Sequence, residues 1–270
     1  MDDQQFRQLL DYFGFSWEGY RRVRKGVKRR ISRHMHQVEC RTVSEYLHAL
    51  DRNEELRLHS EWLMSVSVSR FFRDRFLWKL VEDQIVPDII EENRKKVKLW
   101  SAGCACGEEV YSFKIVWDSL KGRFDPMPEL EIWATDINPV YLKRAQDGIY
   151  PLSSLKEVPE ELREIYFTLT GEEGLYRIAQ SLKKGILWKV HNLLFELGEP
   201  NFQIILLRNS ILTYYTDELE ESAFLKVMDS LARGGFLVIG SHEKLPIESK
   251  DLITFGGQGY IFRKTGGQTT

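Results

Sequence analysis

Apolar residues recur at helical spacing through the first 75 positions, and no alternating run interrupts them. The pattern predicts helices over residues 2–13, 17–36, 42–53 and 54–64, the third opened by Thr42 or Ser44 as a cap. A further apolar-periodic helix over 76–94 leads through Pro87 toward the first strand. Beyond it the rhythm changes. Short apolar runs beginning at Leu99 and covering 130–134, 202–207 and 236–239 read as strands, the last two continuous enough to be buried on both faces of a parallel sheet. Helical stretches stand between them: one opened by Glu108 and Glu109, one from Pro139 to Gln146, and one from Asp217 to Leu231 that Gly234-Gly235 ends. Strand-like pieces at 176–178 and 185–190 surround Gly171, Gly174 and a Lys-Lys-Gly turn, which predicts a small antiparallel insertion over about 152–190. A strand over 259–263 closes the pattern, and the Gly-Gly-Gln-Thr-Thr tail is expected to be disordered. The fold class is α/β: a helical domain over 1–75, a connector over 76–96, and an α/β domain over 97–265 that carries the insertion.

The most informative stretch is Leu99-Trp-Ser-Ala-Gly-Cys-Ala-Cys-Gly-Glu-Glu109, where an apolar strand enters a turn of small residues and two carboxylates open a helix. Gly103 and Gly107 can adopt positive φ, and Ala102, Cys104, Ala105 and Cys106 keep the turn narrow, so the backbone can approach a ligand closely. The turn is not G-x-G-x-x-G, and taken alone it is also a common packing device. About 30 residues later the strand over 130–134 runs into Thr135-Asp136-Ile137-Asn138, where Asp136 is placed to receive ribose hydroxyls in a doubly wound sheet. The plainer alternative is that Asp136 caps the next helix, but its spacing from the turn favours the ligand role. Turn and carboxylate together point to a nucleotide-like ligand.

Composition narrows the classes. A chain of 270 residues with 43% apolar content can bury a full α/β core and still carry an appendage. A net charge of −2 gives no reason to expect nucleic-acid binding. No run approaches the roughly 18 apolar residues of a membrane span, and Met-Asp-Asp-Gln-Gln does not begin a secretory leader, so a cytoplasmic protein without membrane insertion is expected. Cys40, Cys104 and Cys106 make no disulfide framework, and Cys104 with Cys106 lacks the further ligands a metal needs, so no metal is expected. Between Tyr20 and His36, however, Arg21, Arg22, Arg24, Lys25, Lys28, Arg29, Arg30 and Arg33 interleave with Val23, Val27, Ile31 and Met35. This basic amphipathic helix is either a solvated face or a docking face for an acidic helical partner, and its charge density favours docking.

Four segments resemble a family, the chemotaxis receptor methyltransferases of the CheR type: Ser69-Arg-Phe-Phe-Arg-Asp74, Trp100 to Glu109 with Tyr111-Ser112, Ala134-Thr-Asp-Ile137, and Arg208-Asn209. Softer matches are Lys143 to Tyr150, His191-Asn-Leu-Leu194, Gly234-Gly235 and Gly240-Ser-His-Glu243. Their order holds from about residue 20 to 263. The resemblance implies a Rossmann-like domain that binds S-adenosylmethionine, releases S-adenosylhomocysteine and transfers the methyl group to glutamates of receptor helices, with the β insertion touching the receptor. It assigns Glu108 to the methionine end of the cofactor and Asp136, with its neighbour Ile137, to the adenosine. Asn192, Leu193, Asn209 and Ser210 would line the adenine and ribose beside the Gly103 turn, while Ser67, Ser69 and Arg73 reach across the cofactor. Arg73 and Tyr214 are the candidate catalytic residues, orienting the acceptor carboxylate; on plain chemistry Arg73 could instead pair with Asp74 or Glu82, and Asn192 and Asn209 could be ordinary turn residues.

The chain departs from the family pattern at Ser67-Val-Ser69, at Cys106, and at Thr213, where relatives carry Asn-x-Thr, Thr and Tyr. The expected function is glutamate methyl-ester formation on a helical signalling protein docked on residues 21–33, by a monomer. The alternatives are a methyltransferase of the same fold acting on another protein or a small molecule, and a low-activity regulatory module that binds the cofactor.

Overall fold

The computed structural model describes residues 1–67, 69–196 and 198–265. The expected disordered tail, Gly266 to Thr270, lies outside them. The helical domain contains α1 (Asp3–Phe13), α2 (Trp17–Tyr20), α3 (Arg24–Gln37), α4 (Val43–Arg52) and α5 (Glu54–Met64). Capping boxes open α1 at Asp2/Gln5 and α4 at Thr42/Glu45, and the Asn53 side chain accepts from Leu56 N–H to start α5. The core of this domain joins Phe6, Leu9, Leu10, Tyr20, Val27, Ile31, Tyr46 and Met64. The helix expected over 17–36 is broken at residues 21–23. Tyr20 is buried there and donates its hydroxyl to the Met64 carbonyl at 3.0 Å, which draws the chain inward before α3 begins.

The connector is one helical rod in three parts: α6 (Arg75–Leu80), a π-helical turn (Val81–Ile85) and α7 (Val86–Glu92). Pro87 lies inside the helix expected over 76–94, near the start of α7. Proline lacks the N–H that would bond one turn back, and the wide turn just before it absorbs that defect.

The main sheet has the order β6-β2-β1-β7-β8-β10-β9. Its parallel strands are β1 (Lys96–Ala102), β2 (Glu129–Asp136), β6 (Ile186–Val190), β7 (Phe202–Leu207) and β8 (Leu231–Ile239). A hairpin of β9 (Leu252–Phe255) and β10 (Gln258–Lys264) adds antiparallel strands beyond β8. Alternate residues of β1 face opposite layers: Val97 and Leu99 join one core, Trp100 and Ala102 the other. Helices α8 (Glu108–Ser119), α9 (Pro139–Asp147), α11 (Ile211–Tyr214) and α12 (Asp217–Ser230) connect the strands. A separate antiparallel sheet of β3 (Ile149–Pro151), β5 (Leu175–Ile178) and β4 (Phe167–Leu169), with α10 (Glu160–Tyr166), forms the insertion.

Three expectations change. The strand over 185–190 belongs to the main sheet, with Ile186 to Val190 in parallel register with Ile132 to Asp136, so the insertion ends sooner. Gly234-Gly235 does not stop a helix but lies inside β8, where Gly234 has φ 74° and the register against β7 shifts between Phe202 and Ile204. The strand β9, four residues long, had no reading from the sequence.

Candidate functional site

The first strand has β2 on one side and β7 on the other, which makes this the point where the strand order reverses and a crevice opens at the carboxyl ends. A cavity of about 680 Å3 lies there. Its floor comes from the segments following all five parallel strands: Gly103 to Ala105 after β1, Asp136-Ile137 after β2, His191 to Leu194 after β6, Arg208 to Thr213 after β7 and His242 to Leu245 after β8. The helical domain supplies the opposite wall with Phe15, Tyr20, Arg22, Glu61 and Ser65, and the segment before α6 adds Ser69, Arg70 and Arg73.

The two features that led the sequence reading are joined directly. Ala105, at φ 48°, donates its N–H to Asp136 Oδ2 at 2.9 Å, and Asn138 N–H donates to Asp136 Oδ1 at 2.9 Å. Helix α9 is capped instead by Asn138, whose Oδ1 accepts from Val140 N–H at 3.0 Å, so Asp136 is not the cap. Burial raises the Asp136 carboxyl to about 6, against the two N–H bonds that favour its ionised form. Gly103 takes φ 90°, and a Cβ there would stand 2.7 Å from Ser210 Cβ, so the glycine permits close packing of the turn on the β7 loop.

Other predicted residues divide into two groups. Ser69, Arg73, Gly103, Asp136, Ile137, Asn192, Leu193, Asn209, Ser210 and Tyr214 all border the cavity. Ser67 and Glu108 are not among the residues that border it: the Ser67 hydroxyl is 3.5 Å from Cys106 Sγ, and Glu108 is buried with Oε2 lacking a hydrogen-bond partner among the described residues. Burial pushes the Glu108 carboxyl up, while Arg144 and the Ser69 hydroxyl act in the opposite direction. Asn192 also has a turn role, its Oδ1 accepting from Leu194 N–H at 3.0 Å.

The Asp74 carboxylate, one residue beyond Arg73, is engaged elsewhere. That carboxylate contacts Arg208, whose other nitrogen donates to Glu109 Oε2 at 2.8 Å. Arg208, with its side chain 6% exposed, thereby ties the segment before α6 to the first turn of α8. Arg73 lies close enough to Tyr214 for its charge to favour the phenolate, although burial is the larger effect and raises that phenol overall. Sequence reasoning also missed Glu243 as a site residue. It accepts from the backbone N–H groups of Asn209, at 3.1 Å, and Gly240, and from the Thr213 hydroxyl. Its signal was present in the Gly240-Ser-His-Glu243 match, and the departure at Thr213 has found a partner in it.

Residues 67–261 match the family described as CheR methyltransferase, SAM binding domain. The chain belongs to the CheR methyltransferase family. It is 35% identical to a chemotaxis protein methyltransferase of Listeria innocua over 219 residues, 81% of each chain. It is also 30% identical over 254 residues to a protein named putative methyltransferase Cher3 of Pseudomonas putida, covering 90% of this chain and 89% of that one. A chemotaxis protein methyltransferase of Vibrio parahaemolyticus is 26% identical over 224 residues. This CheR-family protein is therefore a methyltransferase that uses S-adenosylmethionine. Its residues suit that cofactor: the narrow turn admits a close backbone approach, Asp136 is a half-buried acceptor on the cavity, and Glu108 Oε2 is a buried acceptor with no partner among the described residues. Among the described residues no helix is long and apolar enough to cross a membrane, and no cluster of side chains could hold a metal ion.

Proposed function

We propose that this protein forms methyl esters on glutamate side chains of an acidic helical signalling protein, with the cofactor held in the cavity below the helical domain. The observation that carries the reading is Arg22, an exposed cation that borders the cavity in the turn just before α3, on which exposed Lys25, Arg29 and Arg33 follow as a stripe along one face. A helix docked on that stripe delivers a side chain to the cavity mouth. Of the other four cations of the run, Lys28 and Arg24 bond Asp3, Arg30 donates to the carbonyls of Leu63 and Ser65 at 2.9 and 2.8 Å, and exposed Arg21 pairs with Glu18 at 3.6 Å.

S-adenosylmethionine supplies an electrophilic methyl group on a positively charged sulfur. A glutamate carboxylate is ionised at pH 7 and needs no general base, so the residues of this chain act by placing it. Arg73 orients the carboxylate, and the Tyr214 hydroxyl, close to it, donates a hydrogen bond. The helical domain covers the site and removes water from the acceptor oxygen, which must come within about 3 Å of the methyl carbon. Bound S-adenosylmethionine would supply the methyl group to that oxygen, and Asp136, Asn209 and Ser210 would hold the S-adenosylhomocysteine that remains.

Incubation with methyl-labelled S-adenosylmethionine and cytoplasmic fragments of chemoreceptors tests the reading. Label that leaves the protein as methanol in mild alkali is the expected result. Label that resists alkali identifies N-methylation and contradicts ester formation.

A further inference from the structure

Glu61, on the last turn of α5, is only 6% exposed and borders the cavity. No hydrogen bond or ion pair to its carboxyl occurs among the described residues, and burial raises its proton affinity, with Arg57 on the same helix opposing weakly. A buried carboxyl without donors is costly to a fold, and such groups cluster where a ligand supplies what the protein does not.

Its position is fixed from several sides. The carbonyls and hydroxyl that end α5 are held by the element that follows Asp136: Asn138 Nδ2 donates to the Trp62 carbonyl at 3.1 Å and to Ser65 Oγ at 2.8 Å, and the Tyr141 hydroxyl donates to the Ser65 carbonyl at 3.2 Å. Arg30 and Tyr20 bond the carbonyls of Leu63, Ser65 and Met64 from the other side. Asn138, whose N–H donates to Asp136, also bonds the carbonyl of Trp62, the residue after Glu61, and both carboxyls border the same cavity. Glu61 has no donor among the described residues, and Asp136 accepts only from the backbone N–H groups of Ala105 and Asn138, so each carboxyl can accept more; at the adenosine end of the cofactor the donors are the ribose hydroxyls and the adenine amino group.

We propose that Glu61 binds the adenosine moiety of the cofactor alongside Asp136, so that the helical domain, outside the matched residues 67–261, completes the cofactor site. The inference rests on the reading that this cavity holds the cofactor, and not on which acceptor is methylated.

Calorimetric titration of the full chain with S-adenosylhomocysteine, and with methylthioadenosine, which lacks the amino-acid portion, tests it. Glu61→Gln and Glu61→Ala are each expected to weaken both ligands by about tenfold, the scale of one charge-assisted hydrogen bond. The unliganded variants should melt no lower than the parent, because an unpaired buried carboxyl has been removed. Asp136→Asn serves as the control. If it weakens binding while both Glu61 variants stay within about twofold of the parent, the inference fails and the cavity reading stands. If Asp136→Asn is also without effect, the cavity reading itself fails. A loss confined to S-adenosylhomocysteine would put Glu61 at the amino-acid end, and a large fall in melting temperature of both Glu61 variants would make its role structural; either result overturns the proposal.

Discussion

Asp136 reports on the site through its proton. Burial holds its carboxyl near 6, above the ordinary 3.8, so the folded protein keeps that proton over a range where the unfolded chain releases it. This group's contribution to stability therefore declines as pH rises from about 4 to 6. Ligand hydroxyls prefer the ionised form, and S-adenosylhomocysteine affinity should rise between about pH 5 and 7, a dependence that Asp136→Asn should flatten; calorimetry across that range checks it. Arg73→Ala should lower kcat/KM for methyl transfer by about 10- to 100-fold with little change in Tm, and unchanged transfer would remove Arg73 from the reaction. Much of this was legible beforehand: glycines, the small turn and Asp136 lie within 40 residues, and local spacing fixes their relation. The partnerships of Arg208 with Asp74 and of Thr213 with Glu243 were not legible. They join positions 134 and 30 residues apart, and only the sheet order brings them together.

At the scale of elements, α3 has two different faces, and the sequence showed only their sum. Arg30 is a structural cation at the end of α5, so Arg30→Ala should remove two charge-assisted bonds, cost about 2–3 kcal/mol and lower Tm by roughly 5 °C in a thermal melt. Reversing Lys25, Arg29 and Arg33 to glutamate should instead raise KM for the protein acceptor while leaving cofactor affinity unchanged, because those side chains face solvent. The short α2 is equally constrained. A Cβ on Gly19 would stand 1.9 Å from the Thr213 carbonyl oxygen, and Gly19→Ala should separate α2 from α11, seen as a fall in Tm together with weaker methyl transfer. The misplaced strand, β6, shows why periodicity fails at this scale. An edge strand with only one neighbour alternates in burial much as an insertion strand would, and nothing local says which sheet it joins.

Across the whole molecule, the cavity is closed by two parts of the chain whose contacts are specific. Phe15 bridges to Tyr215, Ser16 N–H donates to the Tyr214 carbonyl at 2.8 Å, and Thr216 N–H donates to the Gly14 carbonyl at 3.0 Å. These bonds hold the start of the helical domain against the loop that carries Tyr214. The architecture of a helical domain over an α/β methyltransferase domain was readable from hydrophobic rhythm and motif order; the sharing of one cavity wall between them was not, because it depends on backbone contacts that leave no sequence pattern. On the function proposed above, this shared cavity methylates a glutamate carboxyl on a protein docked at α3. Tandem mass spectrometry of an acidic receptor fragment after reaction with S-adenosylmethionine tests it most directly: the account predicts one added methylene per modified glutamate, removed by mild base and greatly reduced for the variant with reversed Lys25, Arg29 and Arg33. Methylation on nitrogen, or modification of the fragment to the same extent by that variant, would contradict it.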